Sequence, residues 1–135
     1  MKIFFDSNVL IAAYISHGSC YDLYGHSLDK HIVYSSEFVR HEVLEKFTKK
    51  IRLPEEKVHW AYQHLCTYTI LVSEAHLKEK ICRDKDDDHI IAAGINANAD
   101  CIITGDKDLL VLKKIQGIPI IPPRDFWKFE ESQNI

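Results

Sequence analysis

The sequence lacks long apolar segments, paired cysteines and the usual histidine zinc motifs. No apolar run approaches the roughly 20 residues that cross a bilayer, so no membrane association is predicted. The four cysteines are scattered without a C-x-x-C pair, which favours reduced thiols in a cytoplasmic protein over a disulfide framework or a zinc site. The eight histidines form neither an H-x-x-x-H nor an H-E-x-x-H pair, so the signature of a helical zinc protease is missing.

The chain also lacks a signal-peptide pattern and an excess of positive charge. The apolar start MKIFFDSNVLIAAY is interrupted by Asp6 and Asn8, which predicts a buried first strand and helix. A net charge of −3 by itself argues weakly against nucleic-acid binding. The cations are clustered, however, at Lys46, Lys49, Lys50 and Arg52 and again at Lys107, Lys113 and Lys114. Such clusters suit a phosphate backbone, although solvated helix ends explain each of them equally well.

Short apolar segments alternate with amphipathic ones along most of the chain. Five segments are predicted as strands, namely residues 2–5, 31–35, 69–73, 101–104 and 118–121. Helices are predicted over residues 9–16, 20–30, 36–50, 53–66, 74–80, 87–98, 108–114 and 124–129. This alternation predicts a three-layer α/β/α fold with a central, mostly parallel sheet of about five strands. One domain is expected over residues 1–129, with a frayed tail over residues 130–135.

Acidic residues are concentrated in two short segments near the end of the chain. One segment is RDKDDD, with Asp84, Asp86, Asp87 and Asp88, and the other is GDKD, with Asp106 and Asp108. The first precedes a predicted helix and the second follows a predicted strand, while Asp6 ends the first strand and Glu42 lies on the helix after the second. Open α/β sheets bind ligands at the carboxyl ends of their strands. Four separate segments can therefore bring Asp6, Glu42, Asp87 and Asp106 together.

Such a gathering of carboxylates has an energetic consequence. Two carboxylates about 5 Å apart repel by roughly 3 kcal/mol at an effective dielectric of about 20. Several such pairs cost as much as the whole stability of a small domain, about 5–15 kcal/mol. Either some groups are protonated or splayed apart, or a cation lies among them. Each acid alone has an ordinary structural explanation, but their joint placement favours a cation, and a carboxylate-only set suits Mg²⁺ or Mn²⁺.

The motifs resemble those of the PIN-domain family over nearly the full length. The resemblance is carried by FFDSNVLIAA, SSEFVRHEVLEKF, RDKDDDHIIAAGINANAD and IITGDKDLL, followed by IPIIPPRDF. The chain is similar to the prokaryotic branch of the family that has an R-D-x-x-D element. Lys85 stands at a position of this element where related sequences often carry proline. The family comprises metal-dependent nucleases, mostly acting on RNA, including VapC-type toxins of toxin–antitoxin pairs. The resemblance therefore implies Mg²⁺ or Mn²⁺, an RNA or single-stranded DNA substrate, a small antitoxin partner and a homodimer.

The resemblance also implies a set of site residues. The acidic core is Asp6, Glu42, Asp87 and Asp106, with Asp84 as a further metal candidate. Because three acids are consecutive, Asp88 stays open as an alternative to Asp87: counting back from Asp106 favours Asp87, and helix periodicity allows Asp88. Supporting residues are Ser7, Asn8, Thr104 and Asp108, and candidate phosphate contacts are Lys46, Lys49 and Lys107.

Three alternative assignments share an acidic α/β site. A haloacid-dehalogenase-like phosphohydrolase needs a second Asp two residues after the first, where this chain has Asn8. A phosphoacceptor receiver domain needs paired acids after the first strand, and none occur here. A PIN scaffold that binds RNA or a partner without cutting is the strongest non-enzymatic alternative.

Overall fold

The computed structural model describes residues 1–133, in which six strands form one sheet. The strands are β1 (Lys2–Phe5), β2 (Ile32–Ser35), β3 (Ile70–Leu71), β4 (Cys101–Ile103), β5 (Lys114–Ile115) and β6 (Ile118–Ile121). Their order across the sheet is β3-β2-β1-β4-β6-β5. The pairs β1–β2, β1–β4, β2–β3 and β4–β6 are parallel, and β5–β6 is antiparallel.

Seven α-helices flank the sheet within residues 1–133. They are α1 (Ser7–Ile15), α2 (Ser19–Lys30), α3 (Glu37–Glu45), α4 (Glu55–Tyr68), α5 (Lys85–Asn96), α6 (Lys107–Leu110) and α7 (Phe126–Gln133). A π-helical turn over Lys46–Lys50 continues α3, and a 3₁₀ turn over Pro123–Asp125 precedes α7. In the described part of the chain, none of these helices combines the length and the apolar character needed to cross a bilayer.

The two central strands are buried on both faces. Successive residues Ile3, Phe4 and Phe5 of β1 and all three residues of β4 are fully buried. A parallel strand with no exposed face must be covered by helices on either side. The predicted three-layer α/β/α fold with a mostly parallel sheet is therefore confirmed.

The structure differs from the sequence prediction after β4. The helix predicted over residues 108–114 ends at Leu110, and residues 114–115 form β5, a sixth strand. Gln116 and Gly117 have positive φ angles of 47° and 81°, the backbone of a two-residue turn that matches the twist of an antiparallel hairpin. The hairpin therefore replaces the end of the predicted helix.

Several other elements differ from the prediction. The strand predicted over residues 69–73 is limited to Ile70–Leu71. Residues 74–80, predicted as helical, contain no regular secondary structure. Helix α5 begins at Lys85 rather than at residue 87, because Asp84 accepts a hydrogen bond from the Asp86 nitrogen and caps it. The tail predicted to fray from residue 130 is helical to Gln133, since Glu130 contacts two histidines of the body of the protein. The last two positions of that predicted tail, 134 and 135, lie outside the described residues.

The strand order places a crevice between β1 and β4. These neighbours are adjacent in the sheet, yet the chain continues from β1 to β2 on one side and from β4 to β6 on the other. Ligands of open α/β sheets bind at such a reversal, outside the carboxyl ends of the strands. Asp6 directly follows β1, and Asp106 follows β4 by three residues.

Gly94 of α5 sets how closely this helix lies on β4. A Cβ at this position would lie 2.5 Å from Ile102 Cδ1 and 2.9 Å from Ile102 Cγ1, and Ile102 is fully buried. Gly94→Ala should therefore lower the free energy of unfolding by about 1–3 kcal/mol, despite the better helix propensity of alanine. Urea unfolding measures this effect. Adding Ile102→Val removes Cδ1 and should restore part of the lost stability. If the stability losses of the two single variants simply add in the double variant, the proposed contact is contradicted.

Candidate active site

Asp6 and Asp106 are fixed by the backbone at the ends of the two central strands. The Asp6 nitrogen donates to the Ile103 carbonyl at 2.9 Å, which ties the end of β1 to β4. Only 6% of Asp6 is exposed. Asp106 is the N-cap of α6, where its Oδ1 accepts a hydrogen bond from the Asp108 nitrogen at 2.8 Å. Two of the predicted acids therefore lie at the β1–β4 crevice.

Asp87 brings a third carboxylate from the first turn of α5. It is buried, and its Oδ2 has no hydrogen-bond partner among residues 1–133. One carboxylate oxygen each from Asp87, Asp106 and Asp108 lie within 4.8 Å of one another. A buried polar atom without a partner is costly, so an orphaned carboxylate oxygen in an acidic cluster is suited to a cation.

Asp84 and Asp88 flank Asp87 but have different contacts. Both oxygens of Asp88 accept hydrogen bonds from the backbone before α5, from Ile81 at 3.1 Å and from Cys82 at 2.7 Å. Asp84 caps α5 and is exposed, although its charge contributes to raising the pKa of Asp87. Asp88 is therefore engaged in holding the loop before α5, whereas Asp87 has an oxygen that can bind a cation.

Glu42 adds a fourth acid from α3. This helix begins where the Ser36 hydroxyl accepts a hydrogen bond from the Val39 nitrogen at 3.2 Å. Glu42 is half-buried, two turns into the helix, and its charge contributes to raising the pKa of Asp6. The charges of Glu42 and Asp106 thus act on Asp6, and those of Asp6 and Asp106 act on Asp87. Among residues 1–133, however, the close triplet consists of Asp87, Asp106 and Asp108 and contains neither Asp6 nor Glu42.

The electrostatics of this neighbourhood disfavour full ionisation. Burial raises the pKa of Asp6, against the hydrogen bond from Thr104, and the charges of Glu42 and Asp106 raise it further. Burial also raises the pKa of Asp87 to about 7, with added repulsion from Asp106, Asp6 and Asp84. The Asp87 carboxyl group therefore binds its proton more tightly than a solvent-exposed aspartate does, because its pKa is raised.

Thr104 connects two of the acids. Its hydroxyl is fully buried, donates to Asp6 Oδ2 at 2.6 Å and accepts from the Asp106 nitrogen at 3.0 Å. Ser7, on the first turn of α1, is also fully buried, and its Oγ has no partner among residues 1–133. Both predicted supporting residues thus lie beside the acids, and Thr104 sets the orientation of the Asp6 carboxylate.

Thr104→Val should separate this orienting role from simple packing, since valine has nearly the same shape but no hydroxyl. Loss of a hydrogen bond that orients a metal ligand typically costs 10–100-fold in affinity, so Mn²⁺ binding should weaken by about that factor. Calorimetric titration with Mn²⁺ measures it, with Thr104→Ser as the control that keeps the hydroxyl. Equal affinities for the two variants would show that the hydroxyl has no such role.

Two basic side chains contact residues of the site. Arg83 Nη2 lies 3.1 Å from Asp108 Oδ2, and Lys46 Nζ donates to Asn8 Oδ1 at 2.8 Å. Lys49 and Lys107 are exposed. Sequence reasoning missed the Arg83–Asp108 pair; the arginine that opens the RDKDDD segment was the available signal, but its partner is 25 positions away.

The donor set fits a hard divalent cation. All three ligand atoms of the close triplet are carboxylate oxygens, and Mg²⁺ and Mn²⁺ prefer oxygen ligands. The site combines buried acids, a carboxyl group of raised pKa and two basic side chains in contact with its residues, at the carboxyl ends of parallel strands. These features define the chain as an α/β protein with a carboxylate cluster at the switch point of its sheet.

The comparison with protein families gives the more specific assignment. A PIN domain profile matches residues 2–108, and the chain belongs to the PIN-domain family, whose members are generally nucleases. The family predicted from the sequence motifs is thereby confirmed. No curated protein sequence gives a significant match.

Two solved structures share this fold. VapBC2 from Rickettsia felis, bound to a DNA fragment from its promoter, is 16% identical with a TM-score of 0.67, and the match covers 90% of this chain and 98% of that one. FitAcB from Neisseria gonorrhoeae is 13% identical with a TM-score of 0.57, at the same coverage of 90% and 98%. At these identities the likeness establishes the fold.

Proposed function

We propose that this protein is a ribonuclease that hydrolyses phosphodiester bonds with one or two Mg²⁺ or Mn²⁺ ions. The observation that carries the proposal is the triplet of Asp87, Asp106 and Asp108, in which one carboxylate oxygen of each residue lies within 4.8 Å of the others. Asp87 is buried, and its Oδ2 has no hydrogen-bond partner among residues 1–133. Asp6, Glu42, Asp87 and Asp106 are the proposed ligands. A bound cation supplies activation of a water molecule and neutralises charge on the phosphate.

The protein groups have separate tasks in this proposal. The pKa of Asp87 is raised to about 7. Binding of a cation would therefore displace the proton of this carboxyl group to solvent and leave Asp87 as an ionised ligand. Thr104 holds the Asp6 carboxylate through its 2.6 Å hydrogen bond. Asp108, paired with Arg83, is an outer acid, and Asp88 is assigned to the loop rather than to the cation.

Substrate binding is assigned to the cations near the acids. Lys46, Lys49 and Lys107 are the candidate phosphate contacts, and Lys46 is linked through Asn8 to the residues that follow Asp6. The chain is acidic overall, but these lysines can hold the phosphate backbone of a nucleic acid beside the proposed metal site. The proposed substrate is RNA, with single-stranded DNA as the alternative.

The partner proposal rests on the two solved structures. VapBC2 is a complex crystallised with promoter DNA, and FitAcB has the same fold as this chain. We assign this protein as the toxin of a cytoplasmic toxin–antitoxin pair that forms homodimers and is inhibited by a small antitoxin. Co-purification of the chain with the product of a short neighbouring gene, together with loss of cleavage in that complex, tests this part separately.

The experiment that tests the activity is cleavage of a mixed-structure RNA by the purified protein. Mg²⁺ or Mn²⁺ should support cleavage, EDTA should stop it, and excess cation should restore it. Single-stranded DNA and a chromogenic phosphomonoester are assayed in parallel. RNA binding without cleavage in either cation would favour a non-catalytic scaffold, and hydrolysis of the phosphomonoester alone would favour a phosphatase.

A further inference from the structure

A second cluster of metal-binding side chains joins the C-terminal helix to α2. His26 Nε2 and His31 Nε2 lie 2.6 and 2.5 Å from the same oxygen, Glu130 Oε2. Their ligand atoms all lie within 4.8 Å of one another. His26 belongs to α2, His31 follows it, and Glu130 belongs to α7, so residues about a hundred positions apart meet at one point.

The surroundings of this cluster hold the ligand side chains and leave them partly exposed. The His31 ring is held by a 3.0 Å contact between its Nδ1 and the Met1 nitrogen, and the His26 ring lies edge-on to Trp127 with ring centroids 4.8 Å apart. The exposed fractions of the His26, His31 and Glu130 side chains are 28%, 12% and 17%. A zinc site with three protein ligands takes a water as its fourth ligand, and the partial exposure of these side chains is compatible with that.

We propose that His26, His31 and Glu130 form a zinc site, separate from the acidic cluster, that fastens α7 to α2. Two imidazole nitrogens and a carboxylate oxygen suit Zn²⁺, whereas an all-carboxylate set suits Mg²⁺. Zinc–ligand bonds of about 2.0–2.2 Å in tetrahedral geometry place neighbouring ligand atoms roughly 3.3 Å apart, so Glu130 and the rings need to separate by less than about 1 Å.

Binding changes the protonation of the cluster in a defined way. Each histidine would bind through the lone pair of Nε2, so a proton on that nitrogen leaves to solvent and the neutral ring carries its proton on Nδ1. At His31 the Met1 amino group, 3.0 Å from that Nδ1, then has to lose a proton to accept the hydrogen bond or turn away. The zinc ion takes the place of the two hydrogen bonds to Glu130. Metal binding stabilises the folded state only, so zinc should raise the melting temperature of the whole chain.

Calorimetric titration of the full chain with Zn²⁺, in excess Mg²⁺ to occupy the acidic cluster, tests the proposal. One zinc ion should bind per chain, and His26→Gln, His31→Gln and Glu130→Gln should each weaken binding by at least about 100-fold. His59→Gln, which changes an exposed histidine of α4, should bind as the wild type does. In ring-nitrogen NMR spectra, zinc should shift the Nε2 signals of His26 and His31 but not that of His59.

Two results would overturn the zinc site. One is no zinc binding by the wild type in excess Mg²⁺, and the other is unchanged binding by Glu130→Gln, which keeps the shape of the side chain and an oxygen acceptor. In either case the cluster is a hydrogen-bonded clasp only. If a histidine variant fails to fold, Glu130→Gln decides alone, because its circular dichroism and zinc-free melting temperature can be matched to the wild type. RNA cleavage is not a readout here, so the result is independent of the proposed nuclease activity.

Discussion

Asp6→Asn is expected to reduce metal-dependent RNA cleavage by at least about 100-fold while leaving the metal-free fold as stable as the wild type or more stable. Loss of even an outer-shell partner costs up to about 100-fold, and Asp6 is proposed as a direct ligand. The stability gain has a separate cause, because burial and the charges of Glu42 and Asp106 disfavour the ionised carboxylate. An asparagine amide removes that charge and still accepts the hydrogen bond from Thr104.

Two measurements on the same preparation make this prediction decisive. RNA cleavage is followed with Mg²⁺ or Mn²⁺, and thermal unfolding is followed in EDTA. Asp29→Asn is the matched control, because it removes one charge from an exposed position on α2. Retained cleavage in Asp6→Asn would contradict the ligand role. A large loss of metal-free stability would contradict the electrostatic account, since removal of a disfavoured charge cannot explain it.

The sequence predicts the general position of the site because that position depends on the sheet. Asp6 and Asp106 follow apolar runs that read as buried strands, and the carboxyl ends of parallel strands share one edge. The buried character of β1 and β4 follows from the unbroken apolar letters of Ile3–Phe5 and Cys101–Ile103. Local patterns are thus sufficient to place these two acids near each other.

Other features depend on contacts that local patterns do not encode. Asp87 and Asp88 are adjacent residues of the same type, so the sequence does not tell them apart. In the structure the backbone nitrogens of Ile81 and Cys82 donate to Asp88 and not to Asp87. The segment over residues 114–115 has too few residues for a periodicity, so its pairing with β6 could not be predicted. Glu130 reads as part of a polar tail, because the histidines that hold it are distant in sequence.

The sharpest test of the site is the pair Asp87→Asn and Asp88→Asn, which differ by one position. Asp87→Asn should lose metal binding and cleavage, as an asparagine cannot provide the buried charge opposite Asp106. Asp88→Asn should keep both but lower the free energy of unfolding by about 1–3 kcal/mol, because it weakens the hydrogen bonds from Ile81 and Cys82. Mn²⁺ titration, RNA cleavage and urea unfolding distinguish the two, and the opposite pattern would assign the ligand to Asp88.

The pH dependence of stability gives the Asp87 assignment an independent check without RNA. Its pKa is raised from 3.8 to about 7, so the folded state binds the proton more tightly than the unfolded state. This contribution is fully present below the unfolded pKa and is lost as the pH rises through about 7. In EDTA, Asp87→Asn should therefore match the wild type near pH 4 and exceed it at pH 8, by on the order of 2–4 kcal/mol. Saturating Mg²⁺ should make the wild type the more stable protein at pH 8, because only the wild type gains stability from the cation.

A stability difference between the two proteins that does not change with pH would contradict this account. It would show that Asp87 has the same pKa in the folded and unfolded states and is ionised in the metal-free fold, and a cation would then not be needed to explain its burial.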